Sequence, residues 1–411
     1  MKKIKIEKTK LKGKVKISGS KNSSLAIICA SLLTDKKVIL KNVPNITDIK
    51  DLLKVFSKIN IDFKYKNNKL VIYPNFKYQD LLFEEIKKIR ASYYLMGVFL
   101  ALFNKVKIKY PGGCVIGKRP IDFHLEGFKK AGCVIEEENG ILNIYAKKLS
   151  PFTYEFPKKS LGGTVNLIIL ASKIEGKTIL KNVSTEPEIN DLIKMLKLMG
   201  INIDLKDDTV TINKNNNFKN IKYNIMPDRI EAFTYMVLGL YSHKLKITKI
   251  NPNNLIKPIE ILKDANAKFK LRKNKIIMYS SKLKPINVTS GNYPLLSTDQ
   301  MPLLYPIFAR VKGESIFKET IFENRFNVCD ELIKSNANIS HNENTIFIKG
   351  VNKILSNDYY PQDLRAAAAL LIEAIIDGKS TVCNLHFLER GYENIYLKLK
   401  KIGVKFRIIS D

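Results

Sequence analysis

Two kinds of hydrophobic pattern alternate along the chain. Six segments are almost entirely apolar, and each is followed by a short strand-like run of hydrophobic residues bounded by lysine or another polar residue. The apolar segments read SSLAIICASLL, ASYYLMGVFLALF, TVNLIILASKI, IEAFTYMVLGLY, MPLLYPIFARV and RAAAALLIEAII. A helix that is apolar on all sides must be covered all round. The pattern therefore predicts buried helices with sheets and amphipathic helices outside them.

A helix of different character follows each strand. In TDIKDLLKVFSKI, apolar residues recur at spacings of three and four from Ile49 to Ile59, which is typical of a helix with one buried face. Thr47 or Asp48 is predicted to cap its start. Alternating runs such as IDFKYKNNKLVIYP, CVIEEENGILNIYA and IDLKDDTVTINK predict β-hairpins. This order of elements recurs along the chain and predicts an α/β fold made of six repeats.

The residues that open the buried helices are mostly charged. They are Lys21, Arg90, Gly162, Asp228, Asp299 and Asp363. Asp is an ordinary N-cap residue, whereas Lys or Arg at a helix start opposes the macrodipole. A cation in that position therefore indicates another role, such as binding an anion.

Length and charge limit the classes of protein to consider. The 411 residues are too many for one core and predict two domains. The 70 Lys and Arg residues outnumber the 39 Asp and Glu residues, which gives a net charge of +31 and suggests polyanionic partners. The lysines are nevertheless spread along every segment, beside Asn and Ile. We interpret them as a solvated surface, without a specific nucleic-acid or membrane partner.

The lengths of the apolar runs, the N-terminus and the cysteines indicate a cytoplasmic protein. The apolar runs fall short of the roughly 20 residues that span a bilayer, and the basic N-terminus reads as a strand rather than a secretion signal. Five scattered cysteines, without a CxxC pair, indicate reduced thiols. Four histidines without metal-ligand spacing predict neither a metal nor another cofactor.

Ten short motifs, in order along the chain, resemble those of the enolpyruvyl transferases, in particular the branch that acts on an amino-sugar nucleotide. They are SGSKNS, IRAS, PGGCVIGKRPID, KSLGGT, EPEIND, MPDRIE, STDQ, ETIFENRF, DLRAAAAL and ERGYENI. The resemblance implies an inside-out α/β barrel in two domains of three βαβαββ-like repeats each. One domain would span residues 21–227, and the other would join residues 1–20 to 228–411, with the active site in the cleft between them.

The resemblance also implies a reaction. The enolpyruvyl group of phosphoenolpyruvate would pass to the 3′-hydroxyl of UDP-N-acetylglucosamine with release of phosphate, as the first committed step of peptidoglycan synthesis. Such an addition and elimination needs an acid at C3 of phosphoenolpyruvate and a base at the attacking hydroxyl. By resemblance Cys114, beside Lys118 and Arg119, is the acid and the thiol that fosfomycin alkylates. Asp299 is the base, and Asp363 is a further candidate for proton handling.

Binding residues follow from the same resemblance. The phosphate and carboxylate of phosphoenolpyruvate require cations. The resemblance assigns this substrate to Lys21, Asn22, Arg119, Arg365 and Arg390. It assigns UDP-N-acetylglucosamine to Arg90, Arg119, Pro120, Ile121, Asp122, Phe123, Lys158, Ser160, Leu161, Gly162, Asp299 and Ile321. Backbone amides of the glycine-containing segment SLGG suit a diphosphate.

Two other functions stay open from the sequence. The 5-enolpyruvylshikimate-3-phosphate synthase branch shares the fold and phosphoenolpyruvate, but lacks a GGC loop at this place. The net charge also allows a nonenzymatic nucleic-acid-binding protein that kept the fold. We expect a monomer whose partners are its two small-molecule substrates.

Overall fold

The computed structural model describes residues 2–110, 121–213, 218–322 and 326–410. They form two compact units. Of the described chain, the first unit comprises residues 19–226 and the second comprises residues 2–18 and 227–410. Each unit has its own hydrophobic core. Within the described ranges, no helix combines the length and apolar character needed to cross a membrane.

The first unit contains three sheets among its described residues. Each includes an antiparallel hairpin of the kind predicted, such as Asp62–Lys66 with Lys69–Tyr73. In hydrogen-bonding order, the strands of one sheet are Ile221–Asn224, Val38–Lys41, Lys69–Tyr73 and Asp62–Lys66. Those of a second sheet are Asn202–Lys206, Thr209–Asn213, Lys177–Lys181 and Thr153–Glu155. Those of the third sheet are Lys105–Lys109, Ile141–Tyr145 and Val134–Glu138.

The described part of the second unit also contains three sheets. Their strands, in hydrogen-bonding order, are Asp358–Tyr359, Thr381–Val382, Lys2–Glu7 and Lys405–Ser410; Lys268–Arg272, Lys275–Tyr279, Lys244–Thr248 and Lys12–Lys16; and Asn287–Thr289, Glu314–Lys318, Thr345–Lys349 and Asn338–Asn342. The first residues of the chain belong to this unit because Lys2–Glu7 pairs antiparallel with Lys405–Ser410.

The helices follow the two predicted kinds. Those of the first unit are Lys21–Ala30, Thr47–Lys58, Glu85–Lys88, Tyr94–Phe103, Asp122–Lys130, Leu161–Ala171 and Pro187–Met199. Those of the second are Arg229–Gly239, Ile256–Asp264, Tyr305–Phe308, Asn327–Ile333, Leu364–Asp377, His386–Glu389 and Ile395–Lys401. Short 3₁₀ helices lie at Ser31–Leu33, Arg90–Tyr93, Pro252–Asn254 and Met301–Leu304.

The apolar helices are buried, as their composition predicts. Every residue of Arg229–Gly239 is buried, and so is every residue of Leu364–Asp377 up to Ile375. The amphipathic helix Thr47–Lys58 instead buries one face, which includes Ile49 and Phe56. The apolar helices therefore contribute to the hydrophobic cores of the two units.

One predicted helix is much shorter than its apolar run. MPLLYPIFARV forms a 3₁₀ turn at Met301–Leu304 and then a single α-helical turn at Tyr305–Phe308. Pro302 and Pro306 each lie at the start of one of these pieces. Proline lacks the N–H that donates within a helix, so two prolines four residues apart divide the segment.

Candidate active site

Lys21 is the first residue of the helix Lys21–Ala30, and its ammonium group is held by a carboxylate. Its Nζ lies 2.9 Å from Oδ2 of Asp48, and both side chains are largely buried, with exposed fractions of 16% and 5%. The helix is capped by Ser20, whose hydroxyl accepts a hydrogen bond from the Ser23 amide. Asn22 lies half-buried in the same first turn.

The predicted capping role of Asp48 is wrong. The N-cap of Thr47–Lys58 is Ile46, whose side chain makes no capping bond, and Thr47 and Asp48 are already helical. The Asp48 carboxylate instead reaches Lys21, a residue that lies 27 positions earlier. This partner supplies the reason for a cation at a helix start, where the macrodipole alone disfavours it.

Arg90 lies at the start of the second apolar helix, as predicted, within the 3₁₀ turn Arg90–Tyr93. Its guanidinium carbon is 5.1 Å from the centre of the Tyr93 ring, a distance at which the ring face attracts a cation. The Tyr93 ring is in turn 6.0 Å from the His124 imidazole. Arg90 is thus brought toward the start of the helix Asp122–Lys130.

Three predicted residues lie at that start. Ile121 is the N-cap residue and fully buried, Asp122 is exposed in the first turn, and Phe123 is half-buried. The Phe123 ring packs edge-to-face on Phe156, with 6.5 Å between the ring centres. Phe156 precedes the predicted segment Ser160–Gly162, so this contact brings the two predicted parts of the site together.

His124 is a residue that the sequence analysis did not assign to the site. Its Nδ1 lies 2.9 Å from the side-chain nitrogen of Asn166, while the Asn166 oxygen accepts a hydrogen bond from the Gly97 amide. Asn166 therefore donates to Nδ1, so the neutral ring carries its hydrogen on Nε2. Burial, with a contribution from the charge of Arg90, lowers the pKa of His124 to about 3.

The Nε2–H of His124 is close to the start of the helix Leu161–Ala171. A methyl group placed on Gly162 would lie 3.2 Å from Nε2, so glycine keeps this approach open. The helix begins at Leu161, one residue before the predicted start, and Ser160 caps it by accepting from the Gly163 amide at 3.1 Å. The first amides of a helix have no intrahelical partner, which makes this end suited to an anion.

Lys158 is exposed just before this helix. Its neighbour Lys159 is fixed instead, because its Nζ lies 2.7 Å from the Asp208 carboxylate and 3.1 Å from the Val183 carbonyl. An exposed ammonium group at Lys158 therefore lies beside an anchored one at Lys159.

In the second unit, Asp299 and Arg365 form an ion pair. Nη2 of Arg365 lies 2.8 Å from Oδ2 of Asp299, and the exposed fractions of the two side chains are 7% and 24%. Burial alone would lower the pKa of the Arg365 guanidinium, but the charge of Asp299 outweighs it and the pKa is raised. Asp299 is not the N-cap residue of the following 3₁₀ turn, although Asp is an ordinary cap, because Gln300 occupies that position.

Asp363 caps the helix Leu364–Asp377. Its Oδ1 accepts hydrogen bonds from the amides of Arg365 at 2.7 Å and Ala366 at 3.1 Å. The ordinary capping role of an Asp at a helix start is thus confirmed here. It also fixes the backbone that carries Arg365.

Two further predicted residues lie in loops or short turns. Ile321 is exposed, and its amide donates to a Glu319 carboxylate oxygen at 2.8 Å. Arg390 ends the short helix His386–Glu389 and is half-buried. Cys114, Arg119 and Pro120, which carry the predicted acid and part of both binding sites, lie outside the described residues.

The cysteines within the described ranges are all buried. They are Cys29, Cys133, Cys329 and Cys383. Burial raises the pKa of the Cys29 and Cys329 thiols and raises that of Cys133 to about 12. None of these three is suited to react as a thiolate. In the same ranges, no group of three or more His, Cys, Asp or Glu side chains could hold a metal ion.

Comparison with known proteins identifies the family. A family model described as EPSP synthase (3-phosphoshikimate 1-carboxyvinyltransferase) matches residues 6–399. The chain belongs to the EPSP synthase family. It is an enzyme that transfers a carboxyvinyl group, which is another name for the enolpyruvyl group. The predicted class of enzyme is therefore confirmed.

Curated relatives within the EPSP synthase family carry a more specific name. The UDP-N-acetylglucosamine 1-carboxyvinyltransferase of Pelagibacter ubique is 40% identical over 98% of this chain and 98% of its own length. Proteins of the same name from Kosmotoga olearia and Thermotoga maritima are 36% and 35% identical over 98% and 97% of this chain, and 97% of each relative is covered.

Solved structures support the predicted α/β fold in two domains. The enolpyruvyl transferase NikO from Streptomyces tendae has a TM-score of 0.90 at 20% identity, with 100% of this chain and 99% of NikO covered. An EPSP synthase from Acinetobacter baumannii has a TM-score of 0.80 at 17% identity, with both chains fully covered. At these identities the likeness shows the fold alone.

Proposed function

We propose that the protein transfers the enolpyruvyl group of phosphoenolpyruvate to the 3′-hydroxyl of UDP-N-acetylglucosamine, with release of phosphate. The observation that carries the proposal is the set of relatives, 35–40% identical over 96–98% of the chain, that are named for this activity. The reaction is the first committed step of peptidoglycan synthesis and takes place in the cytoplasm.

The fold that supports this activity is an inside-out α/β barrel of two domains, each with three repeats. Three sheets in each unit, among the described residues, support this arrangement. So does the position of the apolar helices, which are buried in the cores of both units. In each repeat the apolar helix lies inside and the sheet outside, which reverses the usual order of a barrel.

Phosphoenolpyruvate is bound by cations whose positions are fixed in advance. Asp48 holds Lys21 and Asp299 holds Arg365. Asn22, Arg119 and Arg390 complete the set. Because their ion pairs already hold Lys21 and Arg365, little side-chain entropy is lost when the anionic substrate binds.

UDP-N-acetylglucosamine is bound through its diphosphate at the start of the helix Leu161–Ala171. The amides of Leu161 and Gly162, with the nearby charge of Lys158, suit this dianion. Arg90, Arg119 to Phe123 and Ile321 bind the rest of the nucleotide sugar. The half-buried ring of Phe123, which is fixed by Phe156, offers an apolar surface to a base or sugar.

The chemistry proceeds by addition and elimination. Cys114 donates its proton to C3 of phosphoenolpyruvate, and the 3′-oxygen forms a bond to C2 while Asp299 takes the hydroxyl proton. A proton then leaves C3, the C–O bond to phosphate breaks and the C2–C3 double bond is restored. The ion pair with Arg365 fixes the position of the Asp299 carboxylate, the group that accepts the proton in this mechanism.

The test is phosphate release with each acceptor, measured for the native chain and two Cys114 variants. We expect turnover with UDP-N-acetylglucosamine and none with shikimate 3-phosphate. Cys114→Ser should lower kcat by about 1000-fold because a hydroxyl is a poor acid, whereas Cys114→Asp, which can still donate a proton, should keep measurable activity.

Two results would contradict the proposal. Turnover with shikimate 3-phosphate alone would assign the chain to the other branch of the family. Equal kcat values for the native chain and Cys114→Ser would remove the cysteine from proton transfer. Cys133→Ser is the matched control, since its buried thiol has no role in the reaction.

A further inference from the structure

The outward face of one sheet in the second unit is built almost entirely from cations. The sheet consists of Lys12–Lys16, Lys244–Thr248, Lys275–Tyr279 and Lys268–Arg272. Residues that point inward, such as Leu245 and Met278, are fully buried, so the alternate side chains point outward. The outward cations are Lys12, Lys14, Lys16, Lys244, Lys246, Lys268, Lys270, Arg272 and Lys275. We call these nine residues the lysine face.

Strand register arranges the lysine face as a compact grid. One row across the sheet reads Lys14, Lys246, Ile277 and Lys270, and the next reads Lys16, Thr248, Lys275 and Arg272. Lys12 and Lys244 are likewise paired. With about 4.8 Å between strands and about 6.6 Å between residues on one side, the grid measures about 14 by 13 Å. Of its twelve positions, three per strand on four strands, only Thr248, Ile277 and Tyr279 are uncharged.

The other sheets show that this concentration is not a general property of a lysine-rich chain. The outward face that includes Val38–Lys41 carries five lysines but also Asp62. The face that includes Lys105–Lys109 carries three lysines together with Glu136 and Glu138. On the lysine face there is no carboxylate among the described residues. The lysines are spread along the sequence, but the fold brings nine cations together on this sheet.

Among the described residues, no ion pair engages a member of the lysine face. In the described part of the second unit, ion pairs engage other lysines, such as Lys257 with Glu260, Lys334 with Glu331 and Lys398 with Glu231. Nine neighbouring positive charges repel one another, and a bound polyanion relieves that repulsion. The face is therefore complementary to a dense negative surface.

We propose that the lysine face docks the protein on a membrane surface rich in anionic lipid headgroups. All nine cations lie on one side of a single sheet, so they can face one layer of headgroups together. Clusters of four to eight basic residues are typical of such binding. Eight of the nine cations are lysines, which lack the bidentate geometry that reads bases, and Tyr279 is the one ring available for stacking on a base.

This inference revises the expectation of no membrane partner and does not depend on the proposed function. None of the nine residues belongs to the predicted substrate site. Docking would therefore leave the chemistry of the site unchanged while concentrating the enzyme at a surface.

The experiment compares two triple variants of equal net charge. Lys14→Glu/Lys246→Glu/Lys270→Glu reverses one row of the lysine face, and Lys64→Glu/Lys66→Glu/Lys69→Glu makes the same change on a sheet of the first unit. Sedimentation with vesicles made of equal parts phosphatidylcholine and phosphatidylglycerol measures binding. We expect the native chain and the control to bind and the first variant to bind about 100-fold more weakly or worse. Phosphate release in solution and circular dichroism should be the same for all three.

Salt and composition complete the test. Binding should fall steeply as ionic strength rises and should be absent with phosphatidylcholine alone, because the attraction is electrostatic. The proposal is overturned by equal weakening in both triple variants, which would indicate net charge rather than the face. It is also overturned if the native chain binds duplex DNA through these lysines and does not bind the anionic vesicles.

Discussion

At the scale of single residues, the imidazole of His124 shows how burial decides chemistry. Asn166 fixes its tautomer, and the surrounding protein holds the ring neutral through its lowered pKa. A neutral ring next to Gly162 can donate a hydrogen bond from Nε2 without adding a charge to the site. From the sequence alone, His124 can be placed on a helix, but its hydrogen-bond partner cannot be predicted, because Asn166 lies 42 positions away.

The same burial predicts how stability depends on pH. In the unfolded chain His124 binds a proton as the pH falls through about 6.5, whereas the folded chain resists protonation until about pH 3. The contribution of the neutral His124 to the free energy of unfolding is therefore complete above about pH 6.5 and is lost as the pH falls. Between pH 7 and 5 we expect His124 to reduce the free energy of unfolding by about 2 kcal/mol.

Chemical denaturation at the two pH values tests this expectation. His124→Asn keeps an acceptor for Asn166 but cannot be protonated, so its loss between pH 7 and 5 should be smaller than that of the native chain by about 2 kcal/mol. His243→Asn, at an exposed position, should behave like the native chain. Identical pH dependence in the native chain and His124→Asn would show that the ring is not held neutral.

At the scale of elements, hydrophobic periodicity predicts the strands and helices themselves. It does not predict which side chains from different elements contact one another. The hairpins and the amphipathic helices follow their patterns, because each strand or helix must bury one face. The role of Asp48 does not follow from its position, since a cap is a local device and its actual partner Lys21 lies on another helix. The division of MPLLYPIFARV could have been predicted from its two prolines.

The helix Thr47–Lys58 offers a matched pair of carboxylates for a test. Asp48→Asn should remove the charge of the carboxylate that pairs with Lys21 and raise KM for phosphoenolpyruvate, lowering kcat/KM by about 10- to 100-fold. Asp51→Asn removes the partner of Lys54, a largely exposed lysine, and should change neither activity nor stability measurably. Steady-state kinetics with phosphoenolpyruvate varied would distinguish the two. An unchanged kcat/KM in Asp48→Asn would show that the ion pair between Lys21 and Asp48 does not contribute to substrate binding.

At the scale of the whole molecule, the chain passes from the second unit to the first at Gly19. A methyl group at this position would lie 1.7 Å from the Asn42 carbonyl oxygen, a distance that neither backbone can accommodate. Asn42 is itself held in place, because its side-chain amide donates a hydrogen bond of 2.8 Å to the carbonyl of Ile225. Ile225 lies just before the chain returns to the second unit. The motif SGSKNS therefore combines a structural glycine with Lys21, the lysine that we propose to bind phosphoenolpyruvate.

Gly19→Ala should destabilise the protein more than any glycine substitution made only at a turn. We expect a loss of more than about 3 kcal/mol in the free energy of unfolding, because a close backbone contact must be broken. Gly140→Ala is the control: a methyl group there meets nothing within 4 Å, and only its φ of +72° opposes it. That variant should lose about 1 kcal/mol. Equal losses in the two variants would contradict the close approach at Gly19.

The pairing of Lys2–Glu7 with Lys405–Ser410 has a consequence for synthesis on the ribosome. All described residues of the first unit lie between positions 19 and 226, so this unit can fold while the residues after 226 are still being made. Strand Lys2–Glu7 must wait for strand Lys405–Ser410 before its hydrogen bonds are complete. A chain that terminates early keeps an open strand edge, which is the feature that invites aggregation. The closing of this sheet thus requires that synthesis has passed Lys405–Ser410.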